Sequence, residues 1–132
     1  MDTSDSVIKF DENGVCDHCK NFEESIKPNW TTGSVGKEKL DKIVDQIKKD
    51  GKAKEFDCII GISGGIDSSY LLYYAKEVLG LRPLAFSVDT GWNLNVAVEN
   101  IEKIVKGLGL ELNTEIINWN EMKDLQLAFF KS

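Results

Sequence analysis

Short apolar runs alternate with longer stretches of helical periodicity through most of this 132-residue chain. The runs predicted to be strands are 56–62, 84–88 and 112–117. Around them, apolar residues recur at helical spacing, as Leu40, Ile43, Val44 and Ile47 do. Strands that alternate with helices of this length predict a parallel sheet with right-handed crossovers. We therefore expect an α/β fold built on a Rossmann-like parallel sheet.

The predicted strands differ in their expected environment. The run 56–62 is short and apolar throughout, which is typical of a strand buried on both faces. The run 112–117 alternates more clearly, so we expect it nearer a sheet edge.

Ligands of parallel α/β sheets bind beyond the carboxyl ends of the strands. The segments at that end, and hence the candidate site regions, are 61–69, 89–91 and Asn118.

Composition argues against some classes of partner and location. The net charge of −6 argues against broad binding to nucleic acid or to anionic membranes, which requires a basic face. No apolar run approaches the roughly 18 residues of a membrane span. The first ten residues carry two aspartates and no apolar core, so they do not resemble a secretory signal. Three cysteines, an odd number, fit a reducing compartment, and we expect a cytoplasmic protein.

Residues 1–35 are predicted to be an irregular N-terminal segment, because turn formers dominate there. This segment contains Cys16 and Cys19 in a CxxC pair, which can supply two ligands to a tetrahedral zinc site. A complete zinc site needs two more ligands from outside this chain, since the only histidine, His18, lies awkwardly inside the pair. The alternative is a pair of ordinary thiols or half of a redox dithiol. Cys58 lies within a predicted strand and is expected in the core.

A glycine-rich stretch, GISGGIDSS, follows the first predicted strand directly. At a junction from strand to helix, free backbone N–H groups and the helix dipole favour an anion. Gly64 and Gly65 have no Cβ, so oxygen atoms can approach the main chain closely. Asp67 can cap the helix or bind a magnesium ion that accompanies phosphate. Hydroxyl donors are offered by Ser63, Ser68 and Ser69. The alternative is a plain glycine turn with a capping side chain.

Residues 63–69 resemble the SGGxDSS signature of the PP-loop ATP pyrophosphatases, a family that includes NAD synthetase, GMP synthetase and tRNA-thiolating enzymes. The resemblance implies a fold of the adenine nucleotide alpha hydrolase (HUP) type, cleavage of ATP between its α and β phosphates, and Mg²⁺ as a cofactor. It also implies catalytic roles for Ser63 and Asp67, and an adenine site against Val88 and Asp89. The positions that match the signature are Ser63, Gly64, Gly65, Asp67, Ser68 and Ser69.

Two further stretches, FDENGVCDHC and VDTGWN, resemble the N-acetyl sugar amidotransferases of lipopolysaccharide and nonulosonic-acid biosynthesis. This resemblance implies that ATP adenylates the amide oxygen of an N-acetylated sugar or sugar nucleotide, and that ammonia then displaces AMP to leave an acetamidino group. Ammonia would come from a separate glutaminase subunit, because the one histidine lies inside the cysteine pair.

The chain departs from that family in its length. Family members are much longer and have further strands, in the order 3-2-1-4-5, whereas three strands are predicted here. We therefore expect 36–132 to be the N-terminal part of a PP-loop domain, with a C-terminal half that can lie on another chain, and little turnover by the isolated chain. Two alternatives stay open: a tRNA-thiolating PP-loop enzyme, and a non-catalytic nucleotide-binding module.

Overall fold

A computed structural model describes residues 2–132 of the chain. These residues form two compact units, one ending at Lys42 and the other comprising Ile43–Ser132. The functional boundary predicted after residue 35 stays a prediction. Within residues 2–132, no helix combines the length and the apolar character needed to cross a membrane.

The elements follow the predicted alternation of helices and strands. In chain order they are α1 (Asp17–Asn21), a π-helical turn (Phe22–Ile26), a 3₁₀ turn (Lys27–Asn29), α2 (Gly33–Gly51), β1 (Cys58–Gly61), α3 (Ile66–Tyr73), a second π-helical turn (Tyr74–Val78), β2 (Pro83–Asp89), α4 (Asn95–Leu108), β3 (Leu112–Ile116) and α5 (Trp119–Lys131). The predicted irregularity of residues 1–35 is wrong in part, because residues 17–29 are helical. Those helices are too short to produce a periodic apolar pattern.

The described strands form one parallel sheet in the order β1-β2-β3. Ile60 of β1 lies beside Ala85 of β2, and Ala85 in turn lies beside Leu112 of β3. The α/β fold with a parallel sheet is therefore confirmed, and so is the edge position of β3. Because the described strands are parallel, the segments after Gly61, Asp89 and Ile116 all lie at the carboxyl end of the sheet.

The core lies on one face of this sheet. In β1 and β2 the side chains that point to that face are the more buried ones, as Ile60 at 9% and Ile59 at 68% exposure show, whereas all of β3 is exposed. The prediction that the first strand is buried on both faces is thus wrong, since only one face is covered within the described residues. The buried apolar residues of this unit include Val44, Ile60, Ile62, Leu72, Ala75, Leu81, Pro83, Ala85, Ile101 and Val105.

An ion pair fastens the amino-terminal end of the sheet. The Arg82 guanidinium donates to Asp57 Oδ1 over 2.6 Å, to the Gly51 carbonyl over 2.8 Å and to the Lys54 carbonyl over 2.8 Å. The Asp57 side chain is only 4% exposed, and the hydrogen bonds from Arg82 hold the pKa of its carboxyl below the usual range. This cluster joins the end of α2 to the start of β2.

Candidate functional site

The glycine loop, residues 63–69, is held by a hydrogen-bond network between two serines. Ser68 Oγ accepts from the Ser63 amide over 3.2 Å and donates to the Gly65 carbonyl over 3.2 Å. Because that uses its only proton, the 3.2 Å contact between the two hydroxyls requires Ser63 Oγ to donate. Ser63 Oγ is then an acceptor for the Gly65 amide, 3.5 Å away. The two serines therefore fix the loop's shape as well as offering hydroxyl groups.

The start of α3 leaves backbone donors free. Gly65 is the residue that precedes the helix, and it provides no capping side chain. The first bond of the helix runs from the Ser69 amide to the Gly65 carbonyl over 3.1 Å, so the amides of the preceding helical residues have no helical partner. Asp67 is exposed in the first turn and is not the cap, so that alternative for Asp67 is wrong. Free donors and the helix dipole together favour an anion here.

Gly64 brings the loop against α4. Its φ of +77° is in the left-handed region that favours glycine. A Cβ at this position would collide with the backbone carbonyl of Ala97. The Asn100 side-chain amide donates to the Gly64 carbonyl over 3.2 Å. The loop conformation therefore depends on a helix more than 30 residues further along the chain.

Three of the predicted residues share one cavity at the carboxyl ends of the strands. Ser63, Ser68 and Val88 line a cavity of about 320 Å³, together with Ser87 and Asn93. This arrangement brings the serines of the glycine loop and the end of β2 together, as the sequence predicts.

Other predicted residues lie in separate cavities. Gly64, Gly65 and Ser69 line a space of about 520 Å³ beside Asn100. Asp89 lines a smaller one of about 120 Å³. The Asp89 carboxylate accepts from the Gly91 amide over 2.8 Å, so it fixes the turn after β2.

The cysteine pair belongs to the N-terminal unit. Cys16 is buried, precedes α1 and accepts from the Cys19 amide through Sγ over 3.4 Å, which lowers the pKa of its thiol. The neighbouring Cys16 raises the pKa of the exposed Cys19. Among residues 2–132, no group of three or more His, Cys, Asp or Glu side chains is arranged to hold a metal ion. The zinc prediction is therefore not supported.

Burial raises the pKa of the Cys58 thiol, in agreement with its expected structural role.

Sequence comparison connects this chain with known enzymes. It is 32% identical over 90 residues to the glutamine-hydrolysing GMP synthase of Corynebacterium glutamicum, and 31% identical over 84 residues to that of Aliivibrio salmonicida. Over this segment the chain is homologous to GMP synthases. The matches cover 67% and 63% of this chain but only 16% and 15% of those enzymes. The chain thus spans about a sixth of the length of these relatives.

Further comparisons add three findings. An uncharacterised protein of Methanocaldococcus jannaschii is 28% identical over 106 residues, which are 80% of this chain and 36% of that protein. The solved NH3-dependent NAD synthetase of Campylobacter jejuni matches 71% of this chain and 40% of its own, at 26% identity and a TM-score of 0.43. No protein-family model matches the chain. The resemblance to sugar amidotransferases is not shown by these matches and stays a prediction.

Sequence reasoning missed Asn100. Its contact with Gly64 spans 36 positions, so no local motif contains both residues. A signal was nevertheless present, because Asn100 lies three residues after Ala97 and four before Ile104, within the apolar stripe of α4. A polar side chain at such a position is a candidate for a contact with a neighbouring element.

Proposed function

We propose that this chain carries the nucleotide-binding part of an ATP-dependent, AMP-forming amidotransferase that acts on an N-acetylated sugar. The proposed product is an acetamidino sugar, and the proposed setting is the cytoplasmic synthesis of a surface polysaccharide such as lipopolysaccharide. The assignment of an N-acetylated sugar as the substrate rests on the resemblance of FDENGVCDHC and VDTGWN to sugar amidotransferases.

The glycine loop is the observation that carries the proposal. It joins the carboxyl end of β1 to the start of α3, where unpaired amides and the helix dipole act together. The homologous GMP synthases support an amination reaction in particular, because their name states that they hydrolyse glutamine, the reaction that releases ammonia. The same similarity favours amination over tRNA thiolation.

The residues present fit ATP and Mg²⁺. A Cβ placed on Gly65 would meet only Ser63 Oγ, 3.5 Å away, so the main chain is open to a phosphate oxygen at this point. Asp67 is exposed in the same turn and offers carboxylate oxygens. Mg²⁺ in phosphate-transfer sites is held by one or two carboxylates together with the substrate's phosphates. A lone carboxylate beside an anion site therefore suits this cofactor, which would neutralise phosphate charge.

The chain's own contribution to the reaction is binding and charge stabilisation. The amide oxygen of the sugar would attack the α phosphorus of ATP and expel pyrophosphate. Ammonia would then add to the activated carbon, AMP would leave, and nitrogen would replace the amide oxygen. Negative charge grows on the leaving pyrophosphate, and donors already in position stabilise it without reorganisation.

Ammonia requires a separate source in this proposal. The single histidine, His18, lies between Cys16 and Cys19, and its Nε2 is 3.1 Å from Asp5 Oδ2. A thiol–imidazole glutaminase site needs a histidine apart from its cysteine. We therefore propose a partner glutaminase, and a further chain that completes the sugar site. Zinc has no role in the proposal.

The test combines binding with product analysis. The chain is titrated with Mg·ATP by calorimetry, and is then incubated with Mg·ATP, ammonium and a panel of sugar nucleotides that do or do not carry an N-acetyl group. The proposal predicts saturable ATP binding and a slow release of AMP that only the N-acetylated sugars stimulate. Mass spectrometry then detects the replacement of oxygen by NH.

Two results would contradict the proposal. Failure to bind Mg·ATP would remove its basis. Binding without sugar-dependent AMP, even after addition of a C-terminal partner chain, would instead support a non-catalytic nucleotide-binding module.

A further inference from the structure

The carbonyl of Gly64 has a specific partner outside the glycine loop. The Asn100 side-chain amide donates to this oxygen over 3.2 Å, and both residues line the same cavity beside α4. Asn100 is exposed, so its hydrogen bond to Gly64 is not required to satisfy a buried group. The bond instead determines the direction in which the Gly64 carbonyl points.

The orientation of that carbonyl fixes the amide that follows it. In a trans peptide the C=O of one residue and the N–H of the next point in opposite directions. The Gly64 carbonyl points toward α4, so the Gly65 N–H points away from α4, and its 3.5 Å contact with Ser63 Oγ agrees with this. Ser63 lines the cavity at the carboxyl ends of the strands. The peptide thus turns its N–H toward Ser63, on the side of that cavity.

The same peptide is the one in the loop that can rotate most easily. A flip changes ψ of Gly64 and φ of Gly65 and would reverse the donor and the acceptor. Gly65 has φ −79° in the structure and would move toward positive φ after a flip. Glycine accepts that region readily, whereas other residues do not. A Gly-Gly peptide that binds an anion therefore needs an external restraint on its orientation.

We propose that Asn100 is a positioning residue that holds the Gly64–Gly65 peptide with its N–H toward the pyrophosphate site and its carbonyl toward α4. The inference rests on the proposed function, because it assigns the loop to an anion. It adds a residue of α4 to a site that the sequence motif confines to residues 63–69. Asn100 acts through the loop and does not itself touch the phosphate.

Two substitutions test this role. Asn100→Ala removes the donor, and we expect the affinity for magnesium pyrophosphate to fall by about fivefold to tenfold, the range for one lost hydrogen bond. Asn100→Asp keeps the shape but places an acceptor against the Gly64 carbonyl, so the affinity should fall further. Calorimetric titration with inorganic pyrophosphate measures both. Asn95→Asp is the control, because it puts the same charge on α4 at its first residue.

A second-site change separates orientation from general stability. Crystal structures of Asn100→Asp should show the Gly64 carbonyl turned away from α4. Addition of Gly65→Ala should restore the original direction, because alanine tolerates φ −79° and opposes the flipped form. A merely structural role of Asn100 predicts no such restoration.

The outcomes distinguish the two proposals. An Asn100→Asp structure with an unmoved Gly64 carbonyl overturns the inference, whatever pyrophosphate does. Equal affinities of wild type, Asn100→Ala and Asn95→Asp also overturn it. If the wild type binds no pyrophosphate, the proposed function fails, and the carbonyl direction in the variants still decides the role of Asn100.

Discussion

The two adjacent glycines of the loop have different physical roles. Gly64 has φ +77° and lies against the backbone of Ala97, so both its conformation and its space exclude a side chain. Gly65 has an extended conformation that any residue can adopt, and a Cβ there meets only Ser63 Oγ, 3.5 Å away. Glycine at 65 therefore permits close approach of a ligand and rotation of the Gly64–Gly65 peptide. Glycine at 64 is instead required by the backbone conformation and by the packing against Ala97.

Alanine substitution should separate these roles. Gly64→Ala is expected to lower the free energy of unfolding by about 2 kcal/mol or more, since a left-handed alanine alone costs roughly 1–2 kcal/mol. Gly65→Ala should leave stability within about 0.5 kcal/mol, or raise it slightly through lower entropy of the unfolded chain. Urea unfolding measures both. Equal losses for the two variants would contradict the conformations described.

The Asp57–Arg82 pair should make stability depend on pH. The pKa of Asp57 is lower in the folded chain, so the unfolded chain takes up its proton first as the pH falls. Its contribution is complete above the unfolded carboxyl pKa of about 3.9 and is lost as the pH falls through the folded value. Urea unfolding of Asp57→Asn should show a lower free energy of unfolding at neutral pH. It should also show a smaller further loss of that free energy as the pH is lowered.

A matched carboxylate provides the control for that experiment. Asp45 is exposed on α2, and Asp45→Asn removes the same charge without affecting Arg82. The free energy of unfolding of this variant should fall with decreasing pH as steeply as that of the wild type. If that of Asp57→Asn also falls as steeply as the wild type's, the ion pair has no such role.

At the scale of elements, the order of helices and strands followed from the sequence, but their environments did not. Hydrophobic periodicity located the three described strands of the sheet to within a few residues. The apolar run that forms β1 gave no sign that Ile59 is exposed, because burial of a strand face depends on which elements pack over it. The apolar run 56–62 is compatible with a strand that is covered on one face and with a strand that is covered on both.

The exposed edge strand leads to a prediction about self-association. Within the described residues β1 pairs only with β2, and it carries Ile59 at 68% exposure. Such an edge is a template for association between chains. Ile59→Lys should reduce concentration-dependent association in sedimentation experiments and change stability little. Val96→Lys on α4, which replaces a residue of similar exposure, should leave association unchanged; equal effects would argue against β1 as the contact.

At the scale of the whole molecule, the site could be predicted only as far as the motif extends. The sequence placed Ser63, Ser68 and Val88 together, because parallel strands end at a common edge. It could not place Asn100 against Gly64, since the packing of α4 on the loop depends on the tertiary fold. It also could not reveal that Ser68 holds the loop by accepting from the Ser63 amide. A serine in a motif can bind a ligand or stabilise the loop, and the sequence alone does not distinguish these two roles.

The proposed function depends on binding of the pyrophosphate part of ATP by the backbone amides of the glycine loop. The most direct measurement is a titration of the ¹⁵N-labelled chain with magnesium pyrophosphate, followed by the amide signals of each residue. Saturable shifts are expected to be concentrated in residues 63–69, with Gly65 and the first turn of α3 among the most affected. Shifts centred on Cys16 and Cys19, or no saturable change in the loop, would contradict it.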